Sequence, residues 1–181
     1  MSLWRSRTRS ALLVDLDNIA GQVGGNALMN SVAAWLAWLE DGQFDPRRRK
    51  RELVSKIVYW NTPYEHYRAS FEGAGFEAKL CASRLEGRSM ADMILAADAV
   101  ATCFGRSSVE EIIILAVDTD YEGLLHALRN NGRRVAITIK PDDPSSEAFP
   151  HYANVVFPLD ALKQGFKYAR QPRKWFSRRA S

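Results

Sequence analysis

The sequence predicts an α/β fold in which helices cover both faces of a mainly parallel β-sheet. Short aliphatic runs without proline, such as residues 11–14 and 112–117, are typical of buried parallel strands. These runs alternate with longer segments of helical hydrophobic spacing, and such alternation favours βαβ units. The first and fourth runs are each followed by acidic residues, at the edge where open α/β sheets bind their ligands.

The first half of the chain supplies three strands and two helices. The predicted elements are strands at 11–15, 53–60 and 76–80 and helices near 26–40 and 63–73. A glycine-rich turn formed by Gly21, Gly24 and Gly25 precedes the first helix. Residues 45–51, which begin Asp-Pro and continue with five basic residues, predict an exposed loop before the second strand.

The second half repeats the alternation. The predicted elements are strands at 112–117, 135–139 and 154–157 and helices near 90–104 and 121–131. Right-handed crossovers then favour a Rossmann-like three-layer sandwich with five or six strands in the order 3-2-1-4-5. In that order strands one and four are neighbours, so Asp15 and Asp118 are expected side by side at the topological switch point.

Length and composition predict a single domain. The 181 residues are interpreted as one domain over 1–160 followed by a basic, aromatic C-terminal arm over 161–181. Cys81 and Cys103 lack the spacing of metal ligands. No apolar run reaches the ~18 residues of a membrane span, and residues 1–10 lack the apolar core of a signal peptide. We therefore expect a soluble, cytoplasmic protein with no membrane partner.

The charges are strongly segregated. Residues 1–10, 47–51 and 161–181 hold 15 of the 25 basic residues and no acidic residue, so the remainder carries 10 basic against 21 acidic residues. A negative body with basic segments fits a metal centre flanked by phosphate-binding appendages. The alternative is that the basic segments only improve solubility.

Aromatic residues are interleaved with the charges of the C-terminal arm, a combination suited to phosphates and unpaired bases. The candidate nucleic-acid-binding residues of the arm are Arg170, Arg173, Lys174, Trp175, Arg178 and Arg179. An amphipathic helix that packs on the domain is the structural alternative for the same pattern. Arg84 and Arg88, in the polar loop before the 90–104 helix, are further candidates for contacting a phosphate.

Acidic residues from three separate segments are expected to converge at one sheet edge. The candidate site residues are Asp15, Asn18, Asp92, Asp98, Asp118 and Asp120. Close carboxylates repel one another, so such a cluster should bind one or two Mg²⁺ or Mn²⁺ ions, which can activate water against a phosphodiester. Each acid alone could be a helix cap, and Asp98 fits a surface or buried-network role equally well.

Three segments resemble the NYN domain of the PIN-like nuclease superfamily: LLVDLDNI, MADMILAADAV and ILAVDTDYEGLLHALRNNGRRVAIT. The resemblance spans about residues 11–140, although Val117 and Thr119 replace the glycine and serine usual around the third motif's first aspartate. It implies a PIN-like fold and a Mg²⁺- or Mn²⁺-dependent endoribonuclease. On this resemblance Asp15, Asn18, Asp92, Asp118 and Asp120 would be catalytic, with the aspartates and Asp98 as metal ligands.

Two other functions remain open. A haloacid dehalogenase-like phosphatase would use Asp15 as nucleophile and Asp17 as general acid, but no lysine motif precedes Asp118. A non-catalytic RNA-binding or scaffold module of the same fold is the second alternative. The sequence also leaves a homodimer open.

Overall fold

The computed structural model describes residues 7–81, 90–105, 108–117, 119–143 and 147–170, without the side chains of residues 62 and 119. Its strands are β1 (Thr8–Asp15), β2 (Arg51–Trp60), β3 (Glu77–Leu80), β4 (Glu111–Leu115), β5 (Arg134–Ile139) and β6 (Val155–Pro158). In this part of the chain they form a six-stranded sheet of order β3-β2-β1-β4-β5-β6. All neighbours pair in parallel. The predicted strand order is confirmed, with β6 added beyond β5.

The centre of the sheet is β1, which pairs with β2 on one side and β4 on the other. Leu13 lies opposite both Ile57 and Ile114 in the register. From β1 the chain extends the sheet first through β2 and β3, and later through β4, β5 and β6. The direction reverses between β1 and β4, so the switch point lies at their carboxyl ends.

The helices connect these strands and cover both faces. They are α1 (Leu16–Val23), α2 (Gly25–Asn30), α3 (Val32–Glu40), α4 (Arg68–Gly73), α5 (Ala91–Gly105), α6 (Glu122–Asn130), α7 (Phe149–Tyr152) and α8 (Leu162–Gly165). Two 3₁₀ turns, Thr62–Tyr67 and Thr119–Tyr121, precede α4 and α6. Within the ranges given above, no helix has the length and apolar character needed to cross a bilayer.

Helix α1 differs from the prediction, which assigned a glycine-rich turn to part of this segment. Leu16, Ile19, Ala20 and Val23 are buried at helical spacing, so α1 starts directly after β1 and contains Gly21. The turn is confined to Gly24, whose φ of +87° is a conformation that glycine adopts without strain.

The helix predicted near 26–40 is broken in two at Ser31. The Ser31 hydroxyl donates a hydrogen bond to the carbonyl of Ala27 at 2.5 Å, and the Ser31 φ of −118° is not helical. Serine side chains compete in this way for backbone acceptors, which explains the break. The separate helix α3 then carries Trp35 and Trp38 into the core.

The alternation of side chains along β1 divides the core into two layers. Leu12 and Val14 belong to the layer that contains Trp35 and Trp60, whereas Leu13 belongs to the layer beneath α5 and α6. Strands that bury both faces are the expected pattern for a parallel sheet. This packing fixes the strand ends from which the candidate site is built.

A buried ion cluster occupies the opposite, amino-terminal edge of the sheet. Arg51 is fully buried; its Nε donates to Glu111 Oε2 at 2.6 Å and its Nη2 to Asp45 Oδ2 at 2.8 Å. Ser10 also donates to Glu111, and the Arg51 guanidinium lies 4.4 Å from the centroid of the Phe44 ring. The prediction that 45–51 is an exposed loop is therefore wrong for Asp45 and Arg51, which are structural, while Arg47 and Arg48 are exposed.

The chain continues to pack against the domain beyond residue 160. Gly165 of α8 lies against α3, where a Cβ at Gly165 would come within 2.9 Å of the Trp35 Cβ. Phe166 and Tyr168 are partly buried against the core. The first ten residues assigned to the arm thus adopt the packing alternative, and residues 171–181 lie outside the described residues.

Candidate functional site

Asp15 ends β1 at the carboxyl edge of the sheet and is only 4% exposed. Its Oδ1 accepts a hydrogen bond from the backbone N–H of Asn18 at 3.1 Å, so Asp15 is the N-cap of α1. An aspartate is a favoured residue at this position because its oxygen satisfies a helix N–H that has no other partner. Asp15 therefore has a structural role whether or not it also binds a ligand.

Asn18 joins the first strand to the fourth. Its side-chain Oδ1 accepts a hydrogen bond from the backbone N–H of Val117 at 2.6 Å, across 99 residues of sequence. The segment that follows β4, which begins the third acidic motif's aspartate turn, is thereby fixed beside α1, next to the switch point. Asp118 is the next residue, and it lies outside the described residues.

Asp17 is held by Asn61, the residue that follows β2. Asp17 Oδ1 accepts from the Asn61 backbone N–H at 3.2 Å, and Oδ2 accepts from the Asn61 side-chain amide at 2.5 Å. Burial raises the pKa of the Asp17 carboxyl, although both hydrogen bonds act in the opposite direction. The two hydrogen bonds link the start of α1 to the neighbouring strand end.

Asp98 lies on α5 and faces β2 and β3. Its carboxylate accepts hydrogen bonds from the Tyr59 hydroxyl at 2.8 Å and from Lys79 Nζ at 2.7 Å. The pKa of Tyr59 is raised, first by burial and then by the Asp98 carboxylate. The pKa of Lys79 is also raised, because its bonds to Asp98 outweigh the effect of burial. This arrangement agrees with the buried-network interpretation of Asp98.

Asp92 begins α5 and contributes the least satisfied oxygen of the set. Its Oδ1 is buried and makes no hydrogen bond within the described part of the chain. Buried carboxylate oxygens are rarely left in this condition. The same residue lines a cavity of about 330 Å³ between α5 and α6, together with Asp120 and apolar residues such as Met93 and Leu124.

Asp120 lies in the 3₁₀ turn that precedes α6 and borders two cavities. It lines the α5–α6 cavity and a second one of about 580 Å³ that also includes Glu122, His126 and Tyr152. In that second cavity a hydrogen bond to Glu122 raises the pKa of the Tyr152 hydroxyl. Asp92 and Asp120 are therefore brought to one depression from two different elements.

Cys81 directly follows β3 and is buried. The pKa of its thiol is raised to about 11, first by burial and then by the negative charges of Asp15, Asp17 and Asp98. All three acids therefore contribute to the negative potential around Cys81. Sequence reasoning missed Cys81 and Asn61 as parts of this region, although each directly follows a predicted strand.

A divalent cation fits this donor set only in part. Among the described residues, which exclude Asp118, no three His, Cys, Asp or Glu side chains are close enough together to hold one metal ion. The buried, unbonded Oδ1 of Asp92 has the character of a cation ligand, because an acceptor-only carboxylate oxygen needs a positive partner when buried. A complete site would need Asp118 in addition.

The predicted RNA-binding residues fall largely in segments outside the described residues. Arg84, Arg88, Arg173, Lys174, Trp175, Arg178 and Arg179 lie outside the described residues. Arg170 pairs with Glu40 and with Asp41, the two acids at the end of α3. Since α3 runs back from the carboxyl edge to the start of β2, Arg170 lies toward the amino-terminal edge, away from Asp15.

Comparison with known proteins identifies the family. The NYN domain model matches residues 9–160, which is most of the chain. The chain belongs to the NYN domain family. The resemblance found in the three acidic motifs is thereby confirmed, and the six-stranded parallel sheet seen in the described residues is consistent with the PIN-like fold of NYN nucleases. No curated protein matches the sequence.

Similarity of solved structures to this chain ranges from a shared fold to a weak resemblance. A Vibrio parahaemolyticus protein of unknown function is similar with a TM-score of 0.59 and 18% identity, covering 90% of this chain and 98% of its own. A nicotinamidase from Staphylococcus aureus has a TM-score of 0.41 and 16% identity, with 83% of this chain and 99% of its own covered. An isochorismatase-like hydrolase from Alkaliphilus metalliredigens has a TM-score of 0.39 and 10% identity, with 89% of this chain and 97% of its own covered.

Proposed function

We propose that this NYN domain is a Mg²⁺- or Mn²⁺-dependent endoribonuclease whose site lies at the carboxyl ends of β1 and β4. The observation that carries the proposal is the 2.6 Å hydrogen bond from the Val117 N–H to Asn18 Oδ1. It ties together two of the three acidic motifs at the switch point, where α/β sheets bind ligands. Membership of a nuclease-related family supports the same reaction class.

The residues proposed to hold the cation are Asp15, Asp92, Asp118 and Asp120. Hard cations such as Mg²⁺ take oxygen ligands, and the buried Oδ1 of Asp92 supplies one without a competing hydrogen bond from any described residue. When bound, the ion would lower the pKa of a water and stabilise the charge on the phosphate oxygens. Asn18 positions the strand end that precedes Asp118, so it acts on the geometry of the site.

Asp98 is proposed to support the site from behind. The two side chains that donate hydrogen bonds to its carboxylate, Tyr59 and Lys79, come from β2 and β3 and hold α5 against the sheet. Because α5 also carries Asp92, this network would fix the position of Asp92 along the sheet edge. Both hydrogen bonds fall on Asp98 Oδ2, so direct ligation by Asp98 would use Oδ1.

RNA is the proposed partner, and the phosphodiester backbone is the part of it that the acidic edge cannot bind without cations. Arg84 and Arg88 precede α5 in sequence and are proposed to contact phosphates near the site. The phosphatase alternative has less support, because it needs Asp17 as a general acid while both Asp17 oxygens accept hydrogen bonds from Asn61.

The test is RNA cleavage in Mn²⁺ by the full chain and by Asp92→Asn and Asp118→Asn variants. Each variant should cut at least about 100-fold more slowly, as expected when one preorganised charge is lost from a reaction centre. RNA affinity should be unchanged or slightly tighter, since negative charge has been removed. Asp160→Asn is the matched control, because Asp160 is an exposed aspartate that follows β6.

A second readout separates enzyme from binding module. Isothermal titration with Mn²⁺ should show binding to the unmodified protein and to Asp160→Asn, and weaker binding to Asp92→Asn. RNA binding without any Mn²⁺-dependent cutting would support the non-catalytic alternative. Cleavage by Asp92→Asn and Asp118→Asn at the unmodified rate would contradict the proposed site.

A further inference from the structure

The amino-terminal edge of the sheet holds a cluster of arginines that the proposed nuclease site does not use. A cleft of about 170 Å³ is lined there by Asp45, Arg47, Arg49, Arg134 and Asn154, among others. It lies at the start of β2, β5 and β6, whereas Asp15 lies at the end of β1. Along the eight residues of β1 the two edges are separated by roughly 23 Å, at about 3.3 Å per residue.

We propose that this arginine cleft binds a phosphate group. The proposal rests on the positions of Arg47, Arg49 and Arg134 around one small depression, and it is independent of the metal site. Guanidinium groups match phosphate oxygens in geometry and charge, and they remain charged at all physiological pH values.

The acids near the cleft are already paired with the guanidinium of Arg51. Both Glu111 and Asp45 are bonded by the fully buried Arg51, which donates to Glu111 Oε2 at 2.6 Å and to Asp45 Oδ2 at 2.8 Å. Counting Arg51, the region holds four arginines against two carboxylates. These six groups carry a formal excess of two positive charges, which an anion bound in the cleft would balance.

Arg134 lies beside other arginines with one of its donors unsatisfied. Its Nε is buried and donates no hydrogen bond to a described residue; Glu111 Oε1, with which it forms an ion pair, is 3.7 Å away. Burial lowers the pKa of Arg134, and the positive charge of Arg49 lowers it further. A phosphate between Arg49 and Arg134 would relieve this repulsion and supply the missing acceptor.

The size and remaining chemistry of the cleft suit one tetrahedral oxyanion. A volume of about 170 Å³ is below the ~300 Å³ at which pockets begin to hold drug-sized molecules, but it accommodates several waters of about 30 Å³ each or a single anion. Asn154 Oδ1 accepts from the Val135 N–H at 2.9 Å, which leaves the amide nitrogen of Asn154 as a further donor. The phosphate could be free or part of a nucleic-acid backbone.

The test compares two double variants that lose the same charge from the same loop. Arg47→Gln/Arg49→Gln removes two guanidiniums of the cleft, whereas Arg48→Gln/Lys50→Gln removes neighbouring charges that do not line it. Inorganic phosphate is titrated by calorimetry at constant ionic strength. The cleft pair should weaken phosphate binding about 10-fold or more, as for loss of one charge-assisted hydrogen bond, and the control pair less than about 2-fold.

A second arm distinguishes the source of the phosphate. Anisotropy of a fluorescein-labelled oligouridylate is measured in EDTA over a salt series, so that the proposed cleavage site plays no part. If the cleft holds one backbone phosphate, the cleft pair should lower the slope of log K against log salt by about 0.7. Loss of inorganic phosphate binding with an unchanged RNA slope would assign the cleft to free phosphate or a phosphomonoester.

Two results would overturn the proposal. One is that the unmodified protein shows no phosphate binding, and the other is that both double variants lose it equally, which would indicate overall charge alone. Circular dichroism and urea midpoints of both pairs establish that each is folded. Success or failure here is separate from the nuclease proposal, because no residue of the acidic edge is altered.

Discussion

Replacing Arg51 by methionine should destabilise the protein far more than the loss of an ordinary surface arginine. Arg51 and Glu111 are fully buried and Asp45 is 2% exposed, so the change leaves two buried carboxylates without their cation. Breaking a buried ion pair by removing one partner costs about 3–5 kcal/mol. With a urea m-value of about 2 kcal/mol/M, a loss of about 4 kcal/mol lowers the unfolding midpoint by about 2 M.

The pH dependence gives this prediction a second signature. Burial acts to raise the pKa of Asp45, but Arg51 and the backbone N–H of Arg47 hold it below its ordinary value. In the unmodified protein this contribution to stability is therefore present above about pH 4 and lost as the pH falls through the lowered pKa. In Arg51→Met burial should raise the pKa of Asp45, because Arg51 no longer offsets it, so acidification from pH 8 to pH 5 should reduce the difference in free energy of unfolding between the two proteins.

The assay is urea unfolding followed by tryptophan fluorescence and circular dichroism at both pH values. Arg47→Met is the matched control. Because Arg47 is exposed, we expect the free energy of unfolding of this variant to differ from that of the unmodified protein by less than about 0.5 kcal/mol. A loss below about 1 kcal/mol for Arg51→Met, the range of exposed ion pairs, would refute the reasoning. An increase, on acidification, in the difference in free energy of unfolding between the unmodified protein and Arg51→Met would refute it as well.

Two further predictions concern packing and thiol reactivity. Gly165→Ala should lower the free energy of unfolding by about 1–3 kcal/mol in urea titrations, because the new Cβ meets Trp35 at 2.9 Å. Gly123→Ala, a helical position with nothing within 4 Å of the new Cβ, should instead stabilise by about 0.4–1 kcal/mol; equal effects would argue against the docking of α8. Cys81, with a pKa of about 11, should react with iodoacetamide much more slowly in the folded protein at pH 7.5 than in urea. Fast labelling in both states would contradict its burial among carboxylates.

The order of the sheet could be predicted because each strand can be recognised from its own short segment of sequence. Aliphatic runs such as Ile112–Leu115 need no partner to be recognised, and right-handed crossovers leave few ways to arrange them. Helix α1 could have been found as well, since Leu16, Ile19 and Val23 follow helical spacing. The nearby glycines at 21, 24 and 25 predict a turn that competes with this pattern, although only Gly24 makes the turn.

The partners of individual polar side chains could not be predicted in the same way. Arg51 is one of five consecutive basic residues, and its burial depends on Glu111, which is 60 residues away. Asp98 shares a helix with Asp92, yet its bonds to Tyr59 and Lys79 depend on how closely α5 packs on β2 and β3. Sequence spacing fixes which edge a residue reaches, and it leaves undetermined which neighbour neutralises it there.

The pairing of β1 with β4 has a consequence for how the chain folds. Ser10 and Glu111 are 101 residues apart at one end of this strand pair, and Asn18 and Val117 are 99 residues apart at the other. Closing so long a loop is entropically costly, and topologies rich in distant contacts fold slowly. During synthesis β1 and α1 leave the ribosome well before β4 is made. The buried ion cluster and the acidic edge should therefore both form in the same late step, and a mutation that delays this pairing should delay the appearance of function along with the native core.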